Sequence, residues 1–206
     1  MKLTHKSALH PRRQNTVRRD GFSTLEVVVT LTVILLLAAI ASPMLLRSLR
    51  IYQLNDSAIR LADIVKLTRF DAIRNNSKAD VRFQQNAGNW TVWDDTDING
   101  VMDSREVRLV LGGYADMLPS GAVPNVSPIA ASLGGGGTLA LTTASGANGS
   151  IRFDARGALV PATNVYVFYL GNAADAASGY RAVLVMPAGT TQIWAASAAG
   201  DWHRTG

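Results

Sequence analysis

The fold is decided by residues 21–46, which read GFSTLE and then VVVTLTVILLLAAIASPMLL. The second part, from Val27 to Leu46, contains twenty residues without a charge, and Arg47 and Arg50 follow it. Twenty residues of helix at about 1.5 Å each match a hydrocarbon layer of about 30 Å. The stretch therefore predicts a helix that spans a membrane over about residues 27–46.

The formal net charge of +5 lies entirely before this stretch. Residues 1–21 contain one acidic residue, Asp20, and six basic ones: Lys2, Lys6, Arg12, Arg13, Arg18 and Arg19. The remaining 14 basic and 14 acidic residues cancel. Because basic residues are retained on the cytoplasmic side, this distribution favours a cytoplasmic N-terminus.

Three interpretations of the apolar stretch compete. A plain membrane anchor explains its length, and a secretory signal peptide is compatible with Ala39-Ile40-Ala41 before Ser42, which is similar to a cleavage site. Neither explains Glu26, because a carboxylate at the edge of an apolar span is costly unless it is paired. The third interpretation gives Glu26 a function, while the simpler alternative places its carboxylate at the headgroup level.

The segment Gly21-Phe22-Ser23-Thr24-Leu25-Glu26 resembles the processing motif of type IV prepilins and type II secretion pseudopilins. The resemblance implies that a membrane peptidase cleaves after Gly21 and N-methylates Phe22. It also implies that Glu26 pairs with the Phe22 amine of a neighbouring subunit during filament assembly. Pro43 is similar to a proline that many pilins carry in this helix, where it would bend the span.

The helical pattern continues beyond Arg50. Apolar or small side chains recur three or four residues apart and predict one buried helix face, formed by Leu54, Ala58, Leu61, Val65, Thr68 and Ala72. We expect one helix over residues 22–76, a leader over 1–21 and a β-rich head over 77–206. Alternating patterns predict strands near residues 81–84, 90–93, 107–111, 138–143, 150–153, 165–170, 180–186 and 191–196. Residues 112–149 are predicted to be mobile connections around one short strand.

The resemblance extends into the head. The segments RFDAIRN (69–75), WTVWD (90–94) and SIRFDARG (150–157) are similar to segments of GspH/FimT pseudopilins. This implies an α+β, pilin-like fold in which the long helix packs on β-sheets. It also implies a minor pseudopilin of the type II secretion system, in the bacterial inner membrane with its head in the periplasm. Its expected partners are other pseudopilins and the prepilin peptidase. The alternative is a minor pilin of a type IV pilus, involved in pilus assembly or DNA uptake.

An acidic loop over residues 95–106 fits the pattern D-x-[DN]-x-[DN]-G-x₅-E. Its candidate Ca²⁺ ligands are Asp95, Asp97, Asn99, Asp103 and Glu106, with Gly100 at the sharp turn. The flanking residues predict strands and not helices, so an ion would lie in a hairpin loop. The alternative is a solvated hairpin in which Asp and Asn side chains cap their own turns.

Several function classes are disfavoured. The chain has no cysteine, and its three histidines are His5, His10 and His203, so thiol, Ser-His-Asp and multi-histidine metal chemistry in a core is hard to build. Residues 77–206 contain eight basic and ten acidic side chains, which offer no general electrostatic footprint for nucleic acid. We expect no enzyme activity, no required cofactor and no nucleic-acid partner.

Overall fold

A computed structural model of the chain describes residues 21–124, 138–140 (backbone only) and 148–205. It opens with helix α1 (Thr24–Arg74, 51 residues), where the sequence pattern predicted 22–76. The chain divides into two compact units, Met1–Pro43 and Met44–Gly206, and the boundary falls at the proline inside α1. Proline lacks the N–H of a helical hydrogen bond, so Pro43 interrupts the ladder there.

The first unit contains most of the apolar part of α1. Among the described residues, α1 is the one helix that is long and apolar enough to cross a membrane, and no residue in the most apolar part of it is buried. The hydroxyls of Thr32 and Ser42 donate to the carbonyl oxygens of Val28 and Ala38 at 2.8 and 2.7 Å, which hides these polar groups against the helix backbone. An apolar, internally satisfied surface of this kind suits a lipid environment.

In the second unit, the remainder of α1 packs on two sheets. The first sheet has the order β3-β2-β1-β6-β7 and the second has the order β11-β10-β9-β8-β4, in each case with antiparallel neighbours. Strand β5 pairs in parallel with the Val165–Val167 part of β8, beside β4. The strands are β1 (Ala79–Asn86), β2 (Asn89–Asp95), β3 (Arg108–Leu111), β4 (Asp116–Leu118), β5 (Thr138–Ala140), β6 (Asn148–Phe153), β7 (Leu159–Val160), β8 (Val165–Gly171), β9 (Tyr180–Val185), β10 (Thr191–Ala196) and β11 (Trp202–Arg204).

The main core lies between α1 and both sheets. All six residues of the predicted helix face are fully buried, which confirms that prediction. Phe83 of the first sheet and Phe168 of the second meet edge to face with ring centroids 5.6 Å apart. A second cluster covers the other face of the second sheet, where Leu118, Tyr169 and Leu184 are buried. Burial of each large apolar side chain stabilises the fold by about 1.5–3 kcal/mol.

The strand pattern was incomplete in one respect. Three short strands, β4, β7 and β11, were not predicted, because two or three residues are too few to show an alternation. The expectation of a single strand within residues 112–149 is corrected, since both β4 and β5 lie there and β6 begins at Asn148. Residues 125–137 and 141–147, which include the end of the strand predicted over 138–143, lie outside the described residues.

Candidate functional site

The predicted processing site lies just before the first turn of α1. Gly21 and Phe22 precede the helix, and the side chain of Phe22 is 81% exposed. The Ser23 hydroxyl accepts a hydrogen bond from the amide of Leu25 at 3.2 Å, which satisfies one of the free donors at the helix start. The helix therefore begins two residues after the Gly21–Phe22 peptide bond, where the resemblance predicts cleavage.

Glu26 stands in the first turn of α1 and is exposed. A carboxylate there is favoured by the partial positive charge of the helix N-terminus. Within the described residues, its carboxylate accepts no hydrogen bond and forms no ion pair. Its position is thus compatible with a cationic partner that another molecule supplies.

The acidic loop connects β2 to β3 and brings together three of its five candidate ligands. One carboxylate oxygen from each of Asp95, Asp97 and Glu106 lies within 4.8 Å of the other two. The other two candidates bond within the loop: the side chain of Asn99 accepts from the amide of Val101 at 2.6 Å, and Asp103 accepts from that of Arg105 at 2.7 Å. The predicted five-ligand arrangement is therefore only partly assembled.

Asp95 organises this loop through its buried carboxylate. Its oxygens accept hydrogen bonds from the amides of Asn99 and Gly100 at 3.1 and 3.0 Å and from the Nε of Arg82. Gly100, with φ +77°, occupies the left-handed conformation that the sequence pattern required of it. Because a guanidinium already neutralises Asp95, a cation at this loop would have to compete with Arg82.

A buried charge network continues from this loop across the first sheet, and sequence analysis missed it. Asp80 and Asp95 are opposite each other on β1 and β2, and both are fully buried. Arg152 on β6 binds Asp80 through two hydrogen bonds of 2.6 and 2.7 Å, and Arg82 lies between the two carboxylates. The bond to Asp80 raises the pKa of Arg152. Two arginines thus balance two aspartates on one face of the sheet.

Two carboxyl groups near the loop are poorly satisfied. Asp94 is buried, and its Oδ1 atom has no hydrogen-bond partner among the described residues; the same holds for Oε1 of Glu106. Burial raises the pKa of both Asp94 and Glu106, and nearby carboxylates add to the shift. Burying an ionised oxygen without a partner is costly. The loop region therefore carries more negative charge than its own donors satisfy.

A second polar cluster joins α1 to the second sheet. The carboxylate of Asp175 accepts hydrogen bonds from the hydroxyls of Tyr114 and Ser178 at 2.7 and 3.0 Å and from Arg50 at 3.0 Å. The Tyr114 hydroxyl, Ser178 and Arg50 lower the pKa of Asp175. No sequence pattern indicated this cluster, because Arg50 and Asp175 are 125 residues apart in the chain.

Comparison with known proteins agrees with this fold. A family model described as type II transport protein GspH matches residues 57–189, which is more than half of the chain. No individual curated protein and no solved structure matches the chain. The match begins within α1 and ends beyond β9, so it covers the helix–sheet core and does not include the GFSTLE segment. The chain belongs to the GspH family of pseudopilins, which are structural proteins.

Proposed function

We propose that the mature chain is a minor pseudopilin of a type II secretion system, a structural subunit of a short periplasmic filament. The observation that carries this proposal is the family match over residues 57–189 together with the GFSTLE segment at the start of an exposed apolar helix. Before assembly the helix anchors the chain once in the inner membrane, with the head in the periplasm. The prepilin peptidase removes residues 1–21.

Removal of the leader has two physical consequences. It deletes all of the excess positive charge, which leaves the mature chain with equal numbers of acidic and basic residues. It also creates a new amine at Phe22, four residues before Glu26. An unpaired carboxylate within the apolar layer costs about 2.5–3.5 kcal/mol on insertion scales, and an ammonium group of the neighbouring subunit relieves that cost. Pairing at one depth fixes the axial position of each subunit against the next.

The apolar surface of the helix supplies the remaining assembly energy. Its large side chains are 43–73% exposed from Val27 to Leu46. In the membrane, lipid covers this surface, and in the filament neighbouring helices replace the lipid. Packing between such helices depends on close van der Waals contact, since lipid tails are as apolar as the side chains themselves.

Deletion of the gene and complementation in the bacterium that carries it test the proposal. Complementation with Glu26→Val should give normal cleavage but little incorporation into filaments and little secreted protein. Asp63→Asn is a matched control, because it also removes an exposed carboxylate from α1. Normal secretion by the deletion strain would contradict the proposal. If the deletion strain instead lost pili or DNA uptake, the chain would be a type IV minor pilin.

A further inference from the structure

A groove of about 710 Å³ runs between α1 and the second sheet, away from the acidic loop. On one side Arg47, Ile51, Asn55 and Ile59 line it at every fourth position of α1. On the other side it is lined mainly by small residues of β10 and of the turn before β9, including Ala177, Gly179, Ala195 and Ala196. Its volume falls within the range of ligand pockets, about 300–1,000 Å³.

The groove contains a buried arginine without an acidic partner. Arg181 is only 7% exposed, its Nε donates to Oδ1 of Asn55 at 2.6 Å, and its Nη1 donates to the carbonyl oxygen of Tyr180 at 2.7 Å. In the described part of the chain, no carboxylate forms an ion pair with Arg181, and its Nη2 makes no hydrogen bond. Burial lowers the pKa of this guanidinium. The Nη2 amino group is open to solvent, unlike the rest of the side chain, so it is free to donate to an anion that enters the groove.

The surroundings of Arg181 also favour an anion. Arg181, Ala195 and His203 are opposite one another on β9, β10 and β11, and all three line the groove. The methyl group of Ala195 leaves space between the two larger side chains. Arg47 lines the groove as well, and none of the described lining residues is acidic. Lys66 is also a lining residue, but its ammonium group forms an ion pair with Asp63 at 3.0 Å. The groove is therefore cationic, although the head as a whole contains more acidic than basic residues.

The shape of the groove distinguishes among anionic ligands. From Arg47 to Ile59 the helix side extends over about 18 Å at 1.5 Å per residue. An extended polypeptide covers that distance with about five or six residues at about 3.3 Å each. Small residues on the opposite side permit close approach of a backbone, and Ile51, Ile59 and Ile193 offer apolar contacts. A single phosphate group would leave most of this length unfilled.

We propose that this groove is a docking site for a carboxylate-bearing, apolar-flanked segment of another filament subunit, with the Arg181 guanidinium as the group that binds the carboxylate. The identity of the partner as a filament subunit rests on the proposed function. The carboxylate would accept from the free donors of Arg181, and the apolar side chains on either side of it would contact the isoleucines of the groove. A charge-assisted hydrogen bond of this kind is about twice as strong as a neutral one.

Fluorescence anisotropy with the full chain in detergent micelles tests the docking site directly. The probes are two labelled hexapeptides, ALELAL and ALQLAL, which differ only in the charge of one side chain. We expect the glutamate peptide to bind at least tenfold more tightly than the glutamine peptide. Arg181→Gln should abolish this difference, whereas Arg108→Gln, an exposed arginine on β3 of the other sheet, should preserve it. Equal affinities for the two peptides would overturn the proposal.

A second variant tests the docking site without changing a buried residue. Arg47 is exposed, so Arg47→Glu should leave the fold intact and weaken binding of the glutamate peptide at least tenfold. Unchanged binding by Arg47→Glu would also overturn the proposal. A further experiment compares binding to phosphatidylglycerol vesicles with binding to phosphatidylcholine vesicles. If the chain distinguishes the two kinds of vesicle but not the two peptides, the groove binds a lipid headgroup and no polypeptide, and the proposal is overturned. Peptide binding needs no filament, so the two proposals fail separately. A chain that discriminated between the peptides in micelles but was neither processed nor incorporated into filaments in its own bacterium would contradict the proposed function alone.

Discussion

Arg69 donates a hydrogen bond from its Nε to the carbonyl oxygen of Gly157 at 2.9 Å. Arg69 lies in RFDAIRN and Gly157 lies in SIRFDARG, two of the segments that resemble GspH/FimT pseudopilins. These two segments are far apart in the sequence and are in contact in the fold. Gly157 has φ +77°, and a Cβ atom there would lie 2.6 Å from Cδ1 of Ile73. Gly189 packs against the same place, since its Cβ would lie 1.9 Å from the Gly157 oxygen. The end of α1 is thus fixed against two glycine turns.

The first prediction concerns this contact. Gly189→Ala should lower the free energy of unfolding by about 1–3 kcal/mol. Alanine is strained at φ +78°, and its methyl group would displace Gly157. Thermal unfolding of the detergent-solubilised chain measures the effect. Gly121→Ala is the control, since its added methyl group would meet no atom within 4 Å. Equal melting temperatures for Gly189→Ala and the unmodified chain would contradict this account.

The second prediction concerns the charge network of the first sheet. Asp80→Asn and Arg152→Gln should each destabilise the fold, while the double variant should lose less than the sum of the two. The coupling should be about 0.5–3 kcal/mol, the range found for residues in one network. Arg152 is 39% exposed, so solvent screening keeps the value below that of a fully buried pair. Chemical denaturation of the unmodified chain and the three variants gives the coupling, and strict additivity would show that the bidentate contact contributes nothing.

The third prediction is a pH dependence that arises from Asp175. Its pKa is lowered by Tyr114, Ser178 and Arg50, so its ionised form stabilises the folded chain above its ordinary pKa of about 3.9. That contribution is lost as the pH falls through the lowered pKa. Asp175→Asn should therefore melt at a lower temperature than the unmodified chain at pH 7, and the difference should shrink below about pH 4. A difference that stayed constant from pH 7 to pH 3 would exclude this linkage.

The fourth prediction is the calcium binding that the loop pattern suggested. If Asp95, Asp97 and Glu106 bind Ca²⁺, competition from Arg82 should restrict the Kd to about 10⁻⁴–10⁻³ M, the range of extracellular modules. Isothermal titration should then show heat with CaCl₂, and the melting temperature should rise. Asp97→Asn should remove both effects, whereas Asp201→Asn, outside the loop, should not. Absence of heat and of a melting shift would leave the loop as a self-capped hairpin.

The fold was predictable from the sequence wherever neighbours in the chain determine structure. The buried face from Leu54 to Ala72 follows from helical spacing, and strands such as β8 follow from composition. The left-handed conformation of Gly100 follows from a local pattern in the same way. These features need only a few consecutive residues to specify them.

The features that the sequence did not reveal depend on register between distant strands. Arg152 meets Asp80 because β6 pairs with β1 at one particular register, 72 residues apart in the chain. Arg181 meets Asn55 across 126 residues, and its lack of an acidic partner becomes visible only when the sheet and α1 are packed together. A one-residue shift of either strand would turn these side chains to the opposite face.

Mass spectrometry of the protein purified from the membrane of its own bacterium tests its processing as a pseudopilin most directly. We expect a mature chain without residues 1–21, whose first residue is N-methylated Phe22. Gly21→Val should block cleavage and leave the intact precursor, whereas Gly121→Val, at a glycine far from the motif, should not. A mature chain that begins at Ser42 would identify a secretory signal peptide, and an intact N-terminus in the unmodified protein would identify a plain anchor. Either result would contradict processing as a pseudopilin.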